Sequence, residues 1–392
     1  MKYSTTDFLK VATSTAEHFG FKTADRLKKD PICRECTIEL PHSVTDSEAD
    51  NDLHGGIWPG SVITFCESNL HALASPVLMY SLENIPNTSD SALTLNIFNV
   101  PKSIAEAILI QACRSLLLEL GHHDHIVRIN SLGDNESTIR YTRELTTFLR
   151  KRLDIMSPNA REKMKQHPLL ALAELINEKH ELAQKSPNPL EFLSDHSRKH
   201  FREIVEYLDM SEAPYEIDPK MIGHHELYSD ALFSIDDSTD LTGEEKTNIT
   251  TRGGRFDEYF FRKTKSHTPA VGAVVTLKNN KAVARLPKSK PSLSSIYVVQ
   301  LGFGPKMRCL MIIDELRRSG ITVEHNLASD SLSAQLRDAE ARGFRYTIIV
   351  GQKEYVEQTV ILRDMLERSQ EQISVDQMIK KLKRQILGAK VV

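Results

Sequence analysis

Apolar positions recur along the chain at two spacings, and the spacings separate helices from strands. Across residues 102–120, Ile104, Ile108, Ala112 and Leu116 return at helical intervals, with Ser103 and Glu106 at capping-box spacing and Gly121 as a stop. Residues 2–20 predict a shorter helix with Phe8, Val11, Ala12 and Phe19 on one side. Residues 92–100 alternate apolar and polar, as a half-buried strand does. Apolar runs at 61–66, 126–130, 227–235 and 270–277 predict further strands, with a charged turn between the last two. Residues 43–60, rich in Asp, Asn, Gly and Pro, read as a loop, and residues 84–91 as a turn. From 137 to 209 the pattern is helical, interrupted at Pro158, Pro168, Pro187 and Pro189, and reads as an inserted helical module.

Around 280–295 the composition shifts to Lys, Pro and Ser, as in Pro287-Lys288-Ser289-Lys290-Pro291-Ser292, which marks a linker. Beyond it, strands at 296–301, 321–325, 346–350 and 358–362 alternate with helices at 305–319 and 331–342, stopped by Gly320 and Gly343. A last helix covers 375–385. This alternation predicts an α/β layer with a largely parallel sheet. The organisation expected is a first domain over 1–280 with a helical insertion at 137–210, a linker over 281–295 and a second domain over 296–392.

The 392 residues, 40% hydrophobic and 26% charged, have ordinary globular composition and suffice for two or three domains. The longest apolar run, 105–120, is broken by Glu106, Gln111, Arg114 and Glu119, short of the ~20 apolar residues of a membrane span. The first residues lack an apolar signal core, so a cytoplasmic location is expected, with no membrane partner. A net charge of -3 excludes a polybasic attraction spread over the whole surface. Residues 293–392 hold 15 Lys and Arg against 12 Asp and Glu, whereas residues 1–292 hold 35 against 41, so nucleic-acid contact would belong to the tail. Cys33 and Cys36 form a single C-x-x-C; zinc needs about four ligands, and without a second pair they read as two thiols. Gly121-His122-His123-Asp124-His125 reads as a solvated turn and His224-His225-Glu226 as a loop, so no metal site is expected.

Several segments carry a resemblance in a fixed order. Arg128-Ile129-Asn130-Ser131-Leu132-Gly133 resembles the R-I-N-S-L-G stretch of histidyl-tRNA synthetases, which precedes that family's helical insertion. Residues 171–176 and 187–192 and Pro214-Tyr215-Glu216-Ile217-Asp218-Pro219 follow at matching spacing. Gly253-Gly254-Arg255-Phe256-Asp257 is similar to G-G-R-Y-D, and Thr268-Pro269-Ala270-Val271-Gly272 to the T-P-A-V-G before motif three. Ser331-Leu332-Ser333-Ala334-Gln335-Leu336-Arg337, Gly343-Phe344-Arg345-Tyr346 and Val350-Gly351 resemble the family's anticodon-binding domain. The resemblance covers roughly two thirds of the chain. It implies a class II synthetase fold: an antiparallel sheet with flanking helices and a helical insertion, followed by an α/β anticodon-binding domain. A homodimer is implied as well.

The catalytic positions of that family depart from the pattern. Activating histidine joins a carboxylate to the α-phosphate of ATP, and positioned arginines offset the charges that meet there. The stretch that corresponds to the family's motif two, with its F-R-x-E core, is Tyr80-Ser81-Leu82-Glu83-Asn84-Ile85-Pro86-Asn87-Thr88-Ser89-Asp90 and holds no arginine; Ile97 stands where the family's substrate-reading Gln would be. In Gly223-His224-His225-Glu226-Leu227-Tyr228, Gly223 occupies the arginine position of R-G-L-D-Y-Y. In Thr276-Leu277-Lys278-Asn279, Asn279 occupies that of motif three. Each charge-assisted contact is worth ~1.5–3 kcal/mol, so three losses amount to roughly 5–9 kcal/mol, or about 10³ to 10⁶ in rate. Glu67, Glu226 and Tyr228 match residues of the amino-acid pocket and would be its remnant.

The resemblance with these departures implies a synthetase-like protein without histidine adenylation. It would bind tRNA, another structured RNA or a protein partner, use no cofactor, and place Arg337, Arg342 and Arg345 against RNA. Two alternatives stay open. One is a divergent working ligase using ATP and Mg. The other is a regulatory subunit of the ATP phosphoribosyltransferase type, whose members generally lack the anticodon-binding domain.

Overall fold

The computed structural model describes residues 5–27, 57–68, 70, 76–85, 90–237, 248–278 and 296–388. The chain begins with α1 (Thr5–His18) and the single turn α2 (Ala24–Leu27), followed by α3 (Ile57–Glu67). The run 61–66, expected as a strand, lies inside α3: Val62, Phe65 and Cys66 fall at i, i+3 and i+4 and share one buried side. A six-residue apolar run has no period of its own, so the surface it packs on decides its conformation.

The long helix α4 (Ile104–Glu119) is buried nearly all round. Its N-terminus is not the capping box expected. Ser103 Oγ donates to Glu203 at 2.5 Å, and Glu106 is fully buried with partners elsewhere in the fold. The insertion comprises α5 (Asn135–Arg150), α6 (Pro158–Gln166), α7 (Pro168–Asn177), α8 (Glu181–Gln184) and α9 (Asp195–Met210). Pro158 and Pro168 start α6 and α7, where a missing N–H costs nothing. Asp134, Ser157 and Ser194 accept N–H bonds of 2.9–3.1 Å as N-caps.

The large sheet contains β1 (Val77–Asn84), β2 (Ser91–Phe98), β3 (His125–Gly133), β4 (Tyr215–Ile217), β5 (Ser229–Asp237), β6 (Ile249–Arg255) and β7 (Ala270–Leu277). Their order is β1-β2-β7-β6-β5-β3-β4, with only β3 and β4 parallel. The charged turn expected between 235 and 270 instead contains β6 and the helix α10 (Asp257–Thr264). β6 has little apolar signal, because Gly253 faces the Phe233 ring and Arg255 fills the next inward position. His125, expected on a solvated turn, is the first residue of β3 and 4% exposed, accepting from Arg114 Nε at 3.3 Å. His123 and Asp124 remain exposed.

The tail comprises β8 (Ile296–Gln300), α11 (Phe303–Arg318), β9 (Glu324–His325), α12 (Leu332–Ala341), β10 (Tyr346–Val350), α13 (Gln352–Glu357), β11 (Thr359–Asp364), β12 (Ser369–Ser374) and α14 (Val375–Gly388). Its sheet, β12-β11-β10-β8-β9, is parallel from β10 to β9 and antiparallel from β10 to β12, so it is mixed and not largely parallel. β12, Ser-Gln-Glu-Gln-Ile-Ser, has no apolar alternation and is set by its hairpin with β11.

Body and tail share one hydrophobic core through α1, α4 and α11. Polar groups close the junction. Ser115 Oγ donates to Asp314 at 2.7 Å, and Arg317 reaches Glu119 at 2.7 Å, which also accepts from Thr15 Oγ1 at 3.1 Å. His325 Nε2 meets the Phe19 carbonyl at 3.0 Å, and Lys22 pairs with Glu324 at 2.9 Å. Among the described residues no helix is long and apolar enough to cross a membrane.

Candidate functional site

Strand alternation gives the large sheet two unlike faces. On one, Leu93, Leu95, Ile97, Ala273 and Phe233 pack against α1, α4 and α9. Beneath them Glu106 accepts from Arg255 Nε at 2.8 Å, from Arg255 Nη2 at 3.0 Å and from His200 Nε2 at 2.9 Å, joining α4, β6 and α9. Burial alone would raise the Glu106 pKa, but Arg255 and His200 bring it down to about 2.

The opposite face is the candidate site. Register puts Ser81, Thr94, Val274, Arg252, Ser234 and Arg128 in one row across it, and Met79, Asn96, Gly272, Gly254, Leu232 and Asn130 in the next. Ile97, expected in place of the substrate-reading Gln, points to the helix-covered face, and its neighbour Asn96 faces the site. Helix α3 covers one end: Phe65 stacks on Phe98 with centroids 4.0 Å apart and meets Phe260 edge-on at 5.7 Å. Asn96 Nδ2 donates to Ser61 Oγ at 3.2 Å while its buried carbonyl oxygen has no hydrogen-bond partner among the described residues.

Two of the three expected arginine regions, the start of the motif-two stretch and Gly223, lie among the described residues. Ser81 donates to Glu83 Oε1 at 2.7 Å and lies 2.5 Å from Thr94 Oγ1, and burial raises the Glu83 carboxyl above its ordinary value. Gly223 has φ +58°, and a Cβ added there would come within 2.5 Å of the Tyr228 ring. The same ring leaves 2.6 Å for a Cβ on Gly254, so Tyr228 occupies a slot between two glycines. Asn279 lies outside the described residues, as do Cys33 and Cys36.

Glu67 is the last residue of α3 and exposed, and Glu226 is exposed beyond Gly223, with its carbonyl accepting from Arg262. No direct contact joins Glu67 and Glu226 to each other among the described residues. His225 stacks on His167 at the start of α7, centroids 4.5 Å apart, with His224 at 5.0 Å. Burial, then the neighbouring imidazoles, push His225 down to about 4, so His225 is neutral at physiological pH. Among the described residues no group of three His, Cys, Asp or Glu is placed to hold a metal ion.

One guanidinium on this face escaped the sequence reading. Arg252 donates through Nη1 to Asp236 at 2.7 Å, its side chain is 42% exposed, and its charge lowers the Tyr228 pKa against the dominant upward effect of burial. Arg128 approaches the same Asp236 at 3.7 Å and Glu216 at 3.4 Å. Arg252 directly precedes Gly253-Gly254-Arg255, and period-two alternation sends Arg252 and Arg255 to opposite faces once β6 is recognised as a strand.

In the tail, Arg337 is exposed on α12. Arg342 pairs with Glu324 and with Asp338 and packs over the Phe344 ring at 5.1 Å, which ties α12 to β9; it is engaged within the fold. Arg345 stays half exposed, 3.6 Å from Asp364. Lys380, Lys381, Lys383 and Arg384 form an exposed basic group on α14, and Lys381 and Arg345 line a concavity of about 360 Å³ together with Tyr346 and Glu371.

A largely antiparallel sheet with a helical insertion, joined to a mixed α/β tail, defines a class II synthetase architecture followed by an anticodon-binding-type domain. Residues 295–385 match the anticodon binding domain family. The chain is 27% identical over 277 residues to the histidine–tRNA ligase of Acaryochloris marina, covering 70% of this chain and 63% of that protein. With the ligase of Thermoanaerobacter pseudethanolicus it shares 26% over 339 residues, covering 82% and 79%. The crystal structure of apo S. aureus histidyl-tRNA synthetase aligns with a TM-score of 0.45 at 16% identity, over 83% and 82% of the two chains. Residues 295–385 thus belong to the anticodon binding domain family, and the chain is similar to histidine–tRNA ligases over most of its length. It spans less than two thirds of the Acaryochloris relative.

Proposed function

We propose that this chain is an RNA-binding relative of histidyl-tRNA synthetases that does not adenylate histidine. The observation that carries the reading is Gly223: with φ +58° and the Tyr228 ring 2.5 Å from any Cβ, the place of the α-phosphate arginine holds a glycine where any side chain would be strained. Ser81 at the motif-two position can neither reach nor neutralise a phosphate as a guanidinium does. In this reading the chain needs no cofactor, works in the cytoplasm and forms a homodimer, with a protein partner as a further possible ligand of the same tail. The partner RNA is tRNA, as the names of its relatives suggest, held through the anticodon-binding domain.

The RNA contact is assigned to Arg337, Arg345 and the α14 cations, with Arg342 reserved for structure. Deleting the tail is a poor test, because α1 and α4 would lose the apolar face of α11. Charge reversal is cleaner. Lys380→Glu with Lys383→Glu should weaken tRNA binding in a filter assay by at least about tenfold and flatten its salt dependence by roughly one unit of slope per lost phosphate contact. Arg342→Ala should lower thermal stability with the salt slope unchanged. Equal tRNA affinity in the charge-reversed and parent proteins would remove the tail from the RNA contact.

A second reading has one observation in its favour: Arg252 supplies a guanidinium on the site face beside Tyr228. If it took over phosphate contact, the chain would be a divergent ligase using ATP and Mg, and Arg252→Ala would abolish turnover. Histidine-dependent exchange of pyrophosphate into ATP separates the two readings.

A further inference from the structure

We propose that the cleft between body and tail at the start of α11 is a binding site for a phosphate-bearing ligand with a planar or apolar part. It lies apart from the sheet face and does not rest on the reading of that face. The cleft encloses about 460 Å³, within the usual range for small-ligand sites. Three ammonium groups border it. Lys102 precedes α4, Lys199 is exposed on α9, and Lys306 lies in the first turn of α11 with only 8% of its side chain exposed.

Lysine is rarely buried so far without compensation. Here Asp330 is shared between Lys102 and Lys306, while the remaining acid, Glu203, accepts from the Ser103 hydroxyl. One carboxylate thus serves two ammonium groups, and Lys199 has no ion-pair partner among the described residues. The two 16-residue helices that start here, α4 and α11, have no side-chain cap; Ser103 turns its hydroxyl to Glu203, and Gly302 has none. Their N-terminal partial positive charges add to those of the lysines. The net field of the cleft is positive, and its exposed resident anion, Asp330, stands where a ligand phosphate would sit.

The second observation is apolar. Leu301, 46% exposed, and Phe303, 37% exposed, both line this cleft, and Phe303 stacks on Tyr207 of α9 with centroids 4.7 Å apart. Exposed large apolar side chains beside one buried and two exposed ammonium groups suit a ligand that presents a phosphate at one end and a flat or apolar group at the other. A nucleotide has that chemistry, either free or as part of an RNA chain.

The test uses the full chain, with titration calorimetry of inorganic phosphate and AMP and filter binding of a five-nucleotide RNA. AMP should bind more tightly than phosphate. Lys306→Met should weaken AMP at least about tenfold and Lys199→Gln a few-fold. Asp330→Asn should tighten it about fivefold, because the competing carboxylate is gone. The gain in Asp330→Asn distinguishes a site from a structural clasp, for which that variant would only lower the melting temperature. Melting curves of each variant separate lost binding from lost folding. AMP saturation identifies a free nucleotide as the ligand, whereas saturation by the oligonucleotide with only weak AMP competition identifies RNA; either supports the site. No saturable binding of any of the three probes at millimolar concentration, or unchanged affinity in both Lys199→Gln and Asp330→Asn, overturns it.

Discussion

On the helix-covered face of the large sheet, Arg255 gives Nε and Nη2 to a fully buried Glu106, which His200 also engages. On the opposite face, Gly223 stands where the family resemblance expects an arginine, Ser81 belongs to the arginine-free motif-two stretch, and Arg252 is paired with Asp236. The same side-chain type thus does different work on the two faces. A guanidinium in the interior is demanded by the carboxylate it neutralises and belongs to the fold whether or not chemistry occurs. The guanidinium groups on the site face, Arg252 and Arg128, pair with carboxylates at the edge of solvent, so the fold depends on them less.

The largest effect should come from Arg255→Ala. It leaves Glu106 buried without its main partner and should cost about 3–5 kcal/mol in urea unfolding. A cost under about 1 kcal/mol would erase the distinction between the faces.

Acid should act in two windows. His325 is held down to about 4 by burial, with Nδ1 enclosed and without a hydrogen-bond partner among the described residues, so its contribution is complete above the unfolded value of 6.5 and is lost as pH falls through 4. Glu106, lowered to about 2, contributes fully above its ordinary 4.5 and loses that contribution as pH falls towards 2. His200 runs the other way: its raised pKa stabilises below 6.5 and fades as pH rises through the raised value. His325→Gln should therefore remove about 2–3 kcal/mol of pH dependence between 6.5 and 4, followed by chemical denaturation at each pH. An unchanged slope would show that the junction does not sense this proton.

Gly223→Ala should cost about 1–3 kcal/mol from positive φ and the Tyr228 contact. Adding Tyr228→Ala should return the steric part in a double-mutant cycle, and failure to recover any would mean that the slot is not what excludes a side chain. Ser81→Ala should be the mildest, about 0.5–1.5 kcal/mol for its hydrogen bonds.

Much of this was legible from sequence, for physical reasons that differ by element. α4 and β8 announce themselves because their apolar residues are dense enough to be buried on more than one side. Residues 61–66 misled because a short apolar run fits either period until Phe98 and Phe260 are known to face it. β6 and β12 were silent, since one is packed through glycines and a buried arginine and the other is an exposed polar edge. The absence of arginine from residues 80–90 and from Gly223 is readable from motif order alone. Arg252 was not, because its role depends on which face β6 presents, and the steric closure at Gly223 required the Tyr228 ring to be seen in place.

The most direct test of the claim that the site face has lost adenylation is histidine-dependent exchange of labelled pyrophosphate into ATP by the purified full chain, with and without Arg252→Ala. The account predicts exchange no higher with histidine than without it, in both proteins, alongside retained tRNA binding. Robust histidine-dependent exchange that disappears in Arg252→Ala would contradict it and make Arg252 the phosphate contact of a working ligase.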